Sequence, residues 1–496
     1  MTTPAGEGGF FGQPRGLATL FFTEMWERFN YYGMRALFVL FLVAAVSEGG
    51  FGIDDRTAAA IYGLYTSAVY LVAWPGGWIA DRLIGSQRAV IWGGVLMTIG
   101  TLMLTVPATP AFFYTGLIVI ILGVGLLKPN ISTIVGALYP EGGARRDAGF
   151  SIFYMGINIG AFIGPLVTGW LAVEYGWRWG FGSAAVGMAL GVLQFMLTRR
   201  HLGTAGLHPH AHSGAAREAS LRAWLPVIAG VAGLVVAIAL AWSGTVQVDP
   251  IALSSWGTVL ILTMAAAFFS YMLFFAGLDA AERKRILAFI VLFFASALFW
   301  SGFEQAGSSF NLFAERYTNR MIGSWEMPAA FLQSVNPIFI IIFAPLFSWL
   351  WVTLARRNLD PSSPVKFAFG LILMGVGFLV MVGAAEVVVA GDQPLPYWLI
   401  LTYLLHTFGE LALSPVGLST VTKLAPERFV GQMMGVWFLA ISLGNLIAGQ
   451  LAGEFDSNNV AAFPGQFMNI FWFGALVGVA LLLISPLLRR WMGGVK

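Results

Sequence analysis

Long runs of apolar residues follow one another along almost the whole chain, separated by short polar turns. Most runs reach about 20 residues, the length that an α-helix needs to cross the hydrocarbon core of a bilayer, whereas barrel strands are short and alternating. The pattern predicts an all-α integral membrane protein with about fourteen spanning helices. They are expected near residues 18–47, 56–81, 88–107, 111–139, 148–173, 178–200, 222–243, 256–279, 284–314, 327–355, 364–389, 395–424, 430–453 and 463–490.

The first predicted helix carries charges and tyrosines where a lipid-facing helix has apolar residues. An ionisable side chain at membrane depth costs a few kcal/mol or more, so it faces other helices or a polar cavity. On a helix that turns about 100° per residue, four of these side chains fall within about 60° and two flank that sector. The four are Glu24, Arg28, Tyr31 and Arg35, and the flanking pair is Glu27 and Tyr32. The stripe predicts a polar translocation pathway.

Composition agrees with a membrane protein. The chain has 496 residues, of which 58% are hydrophobic and 10% charged, and its mean hydropathy of +0.79 is too high for a soluble protein of this length. The absence of cysteine excludes disulfides, thiolate nucleophiles and cysteine-based metal sites. A polar segment precedes the first helix and no small-residue cleavage site follows it, so we expect this helix to be retained.

The distribution of lysine and arginine predicts the orientation. Of the 27 basic residues, twenty fall on the side that holds both termini of an even-numbered bundle, four on the other side and three within the helices. Basic loops stay in the cytoplasm, so both termini are expected to be cytoplasmic. The net charge of +3 therefore reflects topology, and no nucleic-acid partner is expected.

The helices group as six, then a pair, then six, which suggests two bundles that rock about a central site. The predicted divisions are an N-terminus at 1–17, a first bundle at 18–200, a linker at 201–221, an inserted helix pair at 222–281, a second bundle at 282–490 and a C-terminus at 491–496. We expect the inserted pair to be peripheral because it lacks intramembrane charge. The linker contains the tract His208–His212, for which solvated histidines are favoured over a metal site.

The turn between the second and third helices resembles the cytoplasmic loop signature of the major facilitator superfamily. It runs from Gly77 to Arg88 and includes Asp81 and Arg82. Asp81 can pair with basic residues and helix ends of a neighbouring bundle, so Asp81, Arg82 and Arg88 are expected to form a cytoplasmic gate loop. An ordinary basic turn is the alternative.

Four further motifs resemble the proton-dependent oligopeptide transporters, a branch of that superfamily. They are Glu24–Gly33, Phe150–Gly160, Phe299–Gln305 and Gly409–Leu418, in the family's order along the chain. The resemblance implies a twelve-helix major facilitator core with the two inserted helices of bacterial members. It also implies a symporter that imports di- and tripeptides with protons by alternating access.

The charges expected inside the helices fit such coupling. They are Glu24, Glu27, Arg28, Arg35, Lys128, Glu304 and Glu410. Four carboxylates against three cations leave about one carboxyl to carry a proton, because an unpaired buried carboxyl becomes neutral. A purely structural network of ion pairs is the alternative. We expect Arg35 to pair with Glu304 at an outer gate and Lys128 to pair with Glu410.

Every peptide has a carboxylate and an ammonium terminus, whereas its side chains vary. The expected binding residues are therefore assigned by their charge relative to these termini. Arg28 and Lys128 are expected to bind the carboxylate, and Glu410 the ammonium with Asn158 and Asn336. The full expected binding set is Arg28, Tyr31, Tyr32, Tyr70, Lys128, Asn158, Trp300, Asn336, Glu410, Ser414 and Trp437. For Trp437, a lipid-facing position stays open. One departure from the family is Gly63, which stands where animal members carry a histidine implicated in proton binding.

Two other functions are possible alternatives for such a chain. The nearer is a proton-coupled drug or metabolite transporter of the same superfamily, and the other is a membrane-embedded enzyme or sensor, for which no catalytic motif is found. We expect no enzyme activity and no cofactor, with protons as the coupling ion. The expected setting is the bacterial inner membrane, with the lipid bilayer as partner and the protein as a monomer.

Overall fold

The computed structural model describes residues 9–106, 109–209, 216–455 and 459–493, and these are almost entirely helical. The α-helices are α1 Arg15–Val43, α2 Asp55–Leu71, α3 Ala73–Ile79, α4 Ser86–Thr105, α5 Pro110–Ala137, α6 Gly143–Tyr175, α7 Trp177–Thr198, α8 Ala216–Trp242, α9 Pro250–Phe274, α10 Ala280–Phe303, α11 Ser309–Arg316, α12 Val335–Arg356, α13 Ser363–Val389, α14 Tyr397–Leu424, α15 Val430–Ala452 and α16 Phe463–Trp491. The two short strands are β1 Met321–Ile322 and β2 Trp325–Glu326, which pair antiparallel.

Thirteen helical segments of the described chain are long and apolar enough to span a membrane. α1 is a further helix of sufficient length, at 29 residues, and it carries the charged stripe. The predicted all-α class and the predicted helices are therefore confirmed, with ends that differ by a few residues.

Two predicted spans are interrupted rather than continuous. α2 ends at Leu71 and α3 begins at Ala73, because Pro75 has no amide hydrogen and its ring clashes with the carbonyl four residues earlier. A π-helical turn at Ala80–Ile84 then ends this span. The second break is a 3-10 turn at Glu304–Gly307 between α10 and α11. The spacing of Trp300, Glu304, Ser308 and Asn311 is that of one face of a continuous helix, but the break distributes these residues over separate helical segments.

Residue contacts divide the chain into two compact units. Unit 1 comprises Met1–Leu37 and Val72–Val248, and unit 2 comprises Phe38–Leu71 and Asp249–Lys496. α2 thus packs within unit 2, although it precedes most of unit 1 in the chain. The division into bundles at 18–200 and 282–490 stays a prediction.

In unit 1, close packing fixes the charged part of α1. A Cβ atom at Gly160 of α6 would lie 2.1 Å from the carbonyl oxygen of Met25, so only glycine allows this approach. The fully buried Asn30 donates hydrogen bonds to Thr101 of α4 at 3.0 Å and to the carbonyl of Ala184 of α7 at 2.9 Å. α1 is consequently held on three sides.

In unit 2, α2 lies directly on α15. A Cβ atom at Gly63 would come within 3.0 Å of the Asn445 carbonyl oxygen and of the Gly449 Cα. α10 and α14 pack against α15, and α13 and α16 pack against α10. The strand pair lies between α11 and a 3-10 helix at Ala329–Ser334, and Arg320 holds it through Glu326 at 2.9 Å.

The inserted helices belong to different units. α8 contacts α5 in unit 1, where Trp242 donates a hydrogen bond to Thr115 at 3.0 Å. α9 packs against α2, α10 and α15 in unit 2, and Gln450 donates to Thr258 at 3.0 Å and Ser254 at 3.3 Å. Neutral hydroxyls rather than charges thus attach α9 to unit 2, and the expectation that the pair is peripheral to the transport pathway stays a prediction.

Candidate functional site

The charged stripe of α1 forms a tight ionic cluster inside unit 1. Arg28 Nε lies 2.8 Å from Glu24 Oε1 and 2.7 Å from Glu27 Oε2. All three side chains are buried, with Glu27 fully so. Lys128 of α5 is partly exposed and interacts electrostatically with Glu27. The cluster thus contains two carboxylates and two cations.

This balance has a chemical consequence. Two carboxylates share one guanidinium nitrogen, so neither can move away without leaving buried charge. A proton added to either carboxylate leaves the cluster with one surplus positive charge. The surplus can be satisfied by an anionic group of a ligand, which links protonation to anion binding at Arg28.

Aromatic and polar side chains adjoin the cluster in unit 1. Tyr31 is buried and Tyr32 partly exposed, and their rings meet edge to face at 5.3 Å. The guanidinium carbon of Arg28 lies 5.8 Å from the Tyr31 ring, and that of Arg35 lies 5.6 Å from the Tyr32 ring. Such distances allow cation–π attraction. On α6, the buried Asn158 donates a hydrogen bond to the Tyr154 carbonyl at 2.9 Å.

Unit 2 brings Asn336 and Glu410 together. Asn336 Nδ2 donates to Glu410 Oε2 at 3.0 Å and to Thr407 Oγ1 at 2.9 Å. Asn336 and Glu410 are both partly exposed, as is Ser414 one turn further along α14. The expected association of Glu410 with Asn336 is present, and Thr407 is a third member that sequence reasoning missed.

Glu304 lies at the break between α10 and α11 and is 5% exposed. The hydroxyl of Tyr62 on α2 donates to its Oε2 at 3.4 Å, and Tyr62 is fully buried. The side chain of Gln333 donates to the Ala306 carbonyl and Ser309 bonds Gln305, which satisfies groups freed by the break. Glu304 is therefore a buried carboxyl on an irregular segment.

The aromatic residues of unit 2 that are expected to line the binding cavity are mostly buried by packing. Trp437 is 3% exposed and its ring lies 6.0 Å from Phe367 and 6.4 Å from Phe289. The lipid-facing alternative for Trp437 is therefore wrong. Trp300 is buried among Phe299 and Phe303, whereas Tyr70 on α2 is partly exposed.

The predicted gate loop has a defined conformation in unit 1. Asp81 and Arg82 lie in the π-helical turn, and both are exposed together with Arg88. Gln87 anchors the following helix, since its side chain donates to the Ala205 carbonyl at 2.8 Å. The loop offers exposed charge, as a gate would need.

A set of contacts between α2 and its unit 2 neighbours was not predicted. Ser67 and Ser442 form a hydroxyl–hydroxyl bond of 2.6 Å, and Ser442 also bonds the Ser67 carbonyl at 3.0 Å. Arg316 of α11 binds both carboxylate oxygens of Asp55 at 2.5 and 2.8 Å. Small hydroxyls in a helix are common, so the sequence carried no signal for this pairing.

Two expected pairs join residues of different units and stay predictions: Arg35 with Glu304, and Lys128 with Glu410. Within the described ranges, no group of three or more His, Asp or Glu side chains could hold a metal ion. His210 and His212 of the linker tract lie outside the described residues.

Spanning helices with buried ionisable clusters define a multi-pass membrane transport protein. The sequence profile of the POT family matches residues 87–473, and the chain belongs to this family of transporters. It is 41% identical to the peptide transporter YePEPT of Yersinia enterocolitica over 100% of this chain and 98% of the relative. It is 36% identical to a di-/tripeptide transporter of Lactococcus lactis over 99% of each.

The fold is similar to that of solved POT structures. A crystal structure of a peptide transporter POT in complex with sulfate superposes with a TM-score of 0.90 at 41% identity, covering 98% of this chain and 97% of that one. The major facilitator fold class expected from the sequence is thereby confirmed. As a POT transporter the chain is not an enzyme.

Proposed function

We propose that this protein is a proton-coupled symporter that imports di- and tripeptides by alternating access. The observation that carries the proposal is the pair of carboxylates on Arg28, at 2.8 and 2.7 Å. One proton on this cluster changes whether an anionic ligand can bind there. The similarity to a peptide transporter and a di-/tripeptide transporter, each aligned along nearly its whole length, supports peptides as the substrate.

The substrate termini are assigned by charge. For the peptide carboxylate we propose Arg28 and Lys128, the two cations of the unit 1 cluster. For the ammonium we propose Glu410, whose carboxylate is oriented by Asn336 at 3.0 Å, with Asn158 as a further polar contact. Tyr31, Tyr32, Tyr70, Trp300, Ser414 and Trp437 are proposed to contact peptide side chains.

Proton coupling is assigned to Glu304, with Glu24 and Glu27 as further acceptors. Glu304 is buried and bonded by Tyr62 on α2 at 3.4 Å. We propose that it pairs with Arg35 when the outer side is closed, and that protonation releases this pair. Proton binding then favours the outward-open state, because in that state Glu304 has lost its partner Arg35 and binds the proton more tightly.

We further propose that both termini are cytoplasmic, that the membrane is the bacterial inner membrane and that the protein acts as a monomer. In this orientation an inside-negative potential contributes about 2.3 kcal/mol per 100 mV for each imported positive charge. The exposed loop with Asp81, Arg82 and Arg88 would then form the inner gate.

The test is uptake of a labelled dipeptide into proteoliposomes under an imposed pH gradient, with the potential clamped. One pH unit is worth about 1.4 kcal/mol, so transport with one proton should accumulate the peptide about tenfold. Glu304→Gln should exchange peptide across the membrane but reach no accumulation. Glu386→Gln changes an exposed carboxyl of α13 and should accumulate as the native protein does.

Two results would contradict the proposal at different points. If the native protein transports no dipeptide under any gradient, the substrate class is wrong and a drug or metabolite transporter becomes the better reading. If Glu304→Gln accumulates peptide fully, the substrate stands but the coupling carboxyl lies elsewhere, at Glu24 or Glu27.

A further inference from the structure

A cleft at one end of unit 2 is separate from every residue assigned above. It lies between the start of α13 and the end of α16, and its volume is about 590 Å³. Asp360 and Ser362 line one wall, and Ser485, Pro486, Arg489 and Arg490 line the other. A volume of this size suits a small ligand or the head of a larger one.

The local sequence of both helices determines which polar groups line the cleft. Pro486 lies inside α16 and has no amide hydrogen, so the Leu482 carbonyl is bonded instead by the Ser485 hydroxyl at 2.8 Å. Ser362 precedes α13 but makes no side-chain capping bond there. Its hydroxyl is therefore available to a ligand.

The charge of the cleft is positive. Its carboxylate, Asp360, is already engaged by Lys366, whose Nζ lies 2.8 Å from Oδ1 and which is 8% exposed. Arg489 and Arg490 are exposed, and no carboxylate of the described residues lies within ion-pair distance of either. Two guanidinium groups thus face a cleft in which the acidic group is neutralised.

The surroundings of the cleft point to lipid. α16 spans the membrane, and Leu483 and Leu487, within the two turns before the arginines, are 76% and 46% exposed. Exposed leucines on a spanning helix lie against acyl chains, while arginines at the helix end reach the headgroup layer. A ligand that places phosphate in the cleft and chains along α16 matches both surfaces.

We propose that this cleft binds the phosphate headgroup of an anionic phospholipid, with Arg489 and Arg490 on the phosphate and Ser362 as a further donor. Basic pockets between spanning helices bind such headgroups, and arginine suits phosphate through paired N–H donors. The inference concerns a lipid site and does not depend on the transported substrate.

The test is native mass spectrometry of the purified full chain, titrated with phosphatidylglycerol, phosphatidylcholine or inorganic phosphate. Each basic residue near an anionic headgroup strengthens binding about fivefold. Arg489→Gln with Arg490→Gln should therefore reduce the preference for phosphatidylglycerol over phosphatidylcholine about thirtyfold. Val365→Phe, which narrows the cleft and keeps both charges, should also reduce it.

The matched control is Arg199→Gln with Arg200→Gln, an exposed arginine pair at the end of α7. It should keep the native preference. The proposal is overturned if this control loses as much preference as the cleft variant, since general surface charge would then explain binding. It is also overturned if the cleft variant keeps its preference, or if millimolar inorganic phosphate displaces the lipid, which would identify a free-phosphate site.

Discussion

For the proposed alternating access we predict that α2, which belongs to the first predicted bundle, separates from α15 of the second. A disulfide between the two helices tests this directly. The hydroxyl oxygens of Ser67 and Ser442 are 2.6 Å apart and both residues are buried. The sulfur–sulfur bond is about 2.0 Å long, so cysteines at these positions can bond with little backbone movement. The chain has no other cysteine, so the introduced pair is unambiguous.

The hydrogen bonds and the ion pair that α2 forms with its neighbours are individually weak. Two hydrogen bonds join Ser442 to Ser67, and interhelical hydrogen bonds in membranes average about 0.6 kcal/mol each. The Asp55–Arg316 pair, with side chains 15% and 30% exposed, adds about 1 kcal/mol after screening by solvent. These polar contacts of α2 together contribute about 2 kcal/mol, which corresponds to a factor of about thirty. Hydrogen bonds and ion pairs of this size break reversibly, whereas a disulfide does not.

Oxidised Ser67→Cys with Ser442→Cys should therefore transport labelled dipeptide no faster than protein-free liposomes, and a reductant should restore uptake. The fraction cross-linked is measured on a gel in the same sample. Each single cysteine variant is the control and should be insensitive to oxidant. Undiminished uptake by fully cross-linked protein would refute the requirement that these helices part.

Two further predictions follow from other contacts. Asn336→Ala removes the hydrogen bond that orients Glu410. A hydrogen bond to a charged group is worth about 1.5 kcal/mol or more, so calorimetry should find dipeptide binding weakened about tenfold or more. Unchanged affinity would contradict the assignment of Glu410 to the peptide ammonium. Burial raises the pKa of Asp54, but hydrogen bonds from Thr57 outweigh it and leave that pKa below 3.8. Asp54→Ala removes the hydrogen bond that Asp54 accepts from the Thr57 amide and should cost about 1 kcal/mol of stability at neutral pH. This difference should shrink as the pH falls below 3.8, whereas Asp392→Ala should have no such effect in thermal unfolding.

The helices could be predicted because membrane insertion acts on each segment separately. A run of apolar residues must form a helix in lipid whatever its neighbours are, so their positions agree with the structure within a few residues. The breaks could be predicted less well. Pro75 signals the interruption after Leu71, but Glu304–Gly307 contains no proline and is stabilised by Gln333 from a distant segment.

Within the site, sequence reasoning succeeded where partners lie on one helix. Glu24 and Arg28, which the sequence places four residues apart on one face of the first helix, form an ion pair. Partners on different helices, such as Tyr62 with Glu304, depend on which faces meet. A single sequence does not contain that information.

The departure at Gly63 has a structural reason. α2 and α15 approach so closely there that a Cβ atom would lie 3.0 Å from the Asn445 carbonyl oxygen and the Gly449 Cα. A histidine, as in animal members, would force these helices apart and break the Ser67–Ser442 bond. A titratable group close to this position is instead the carboxyl of Glu304, which accepts a hydrogen bond from Tyr62, the residue beside Gly63. Close packing of α2 on α15 thus excludes an imidazole from this position, which supports the proposal that the coupling proton binds a carboxyl such as Glu304.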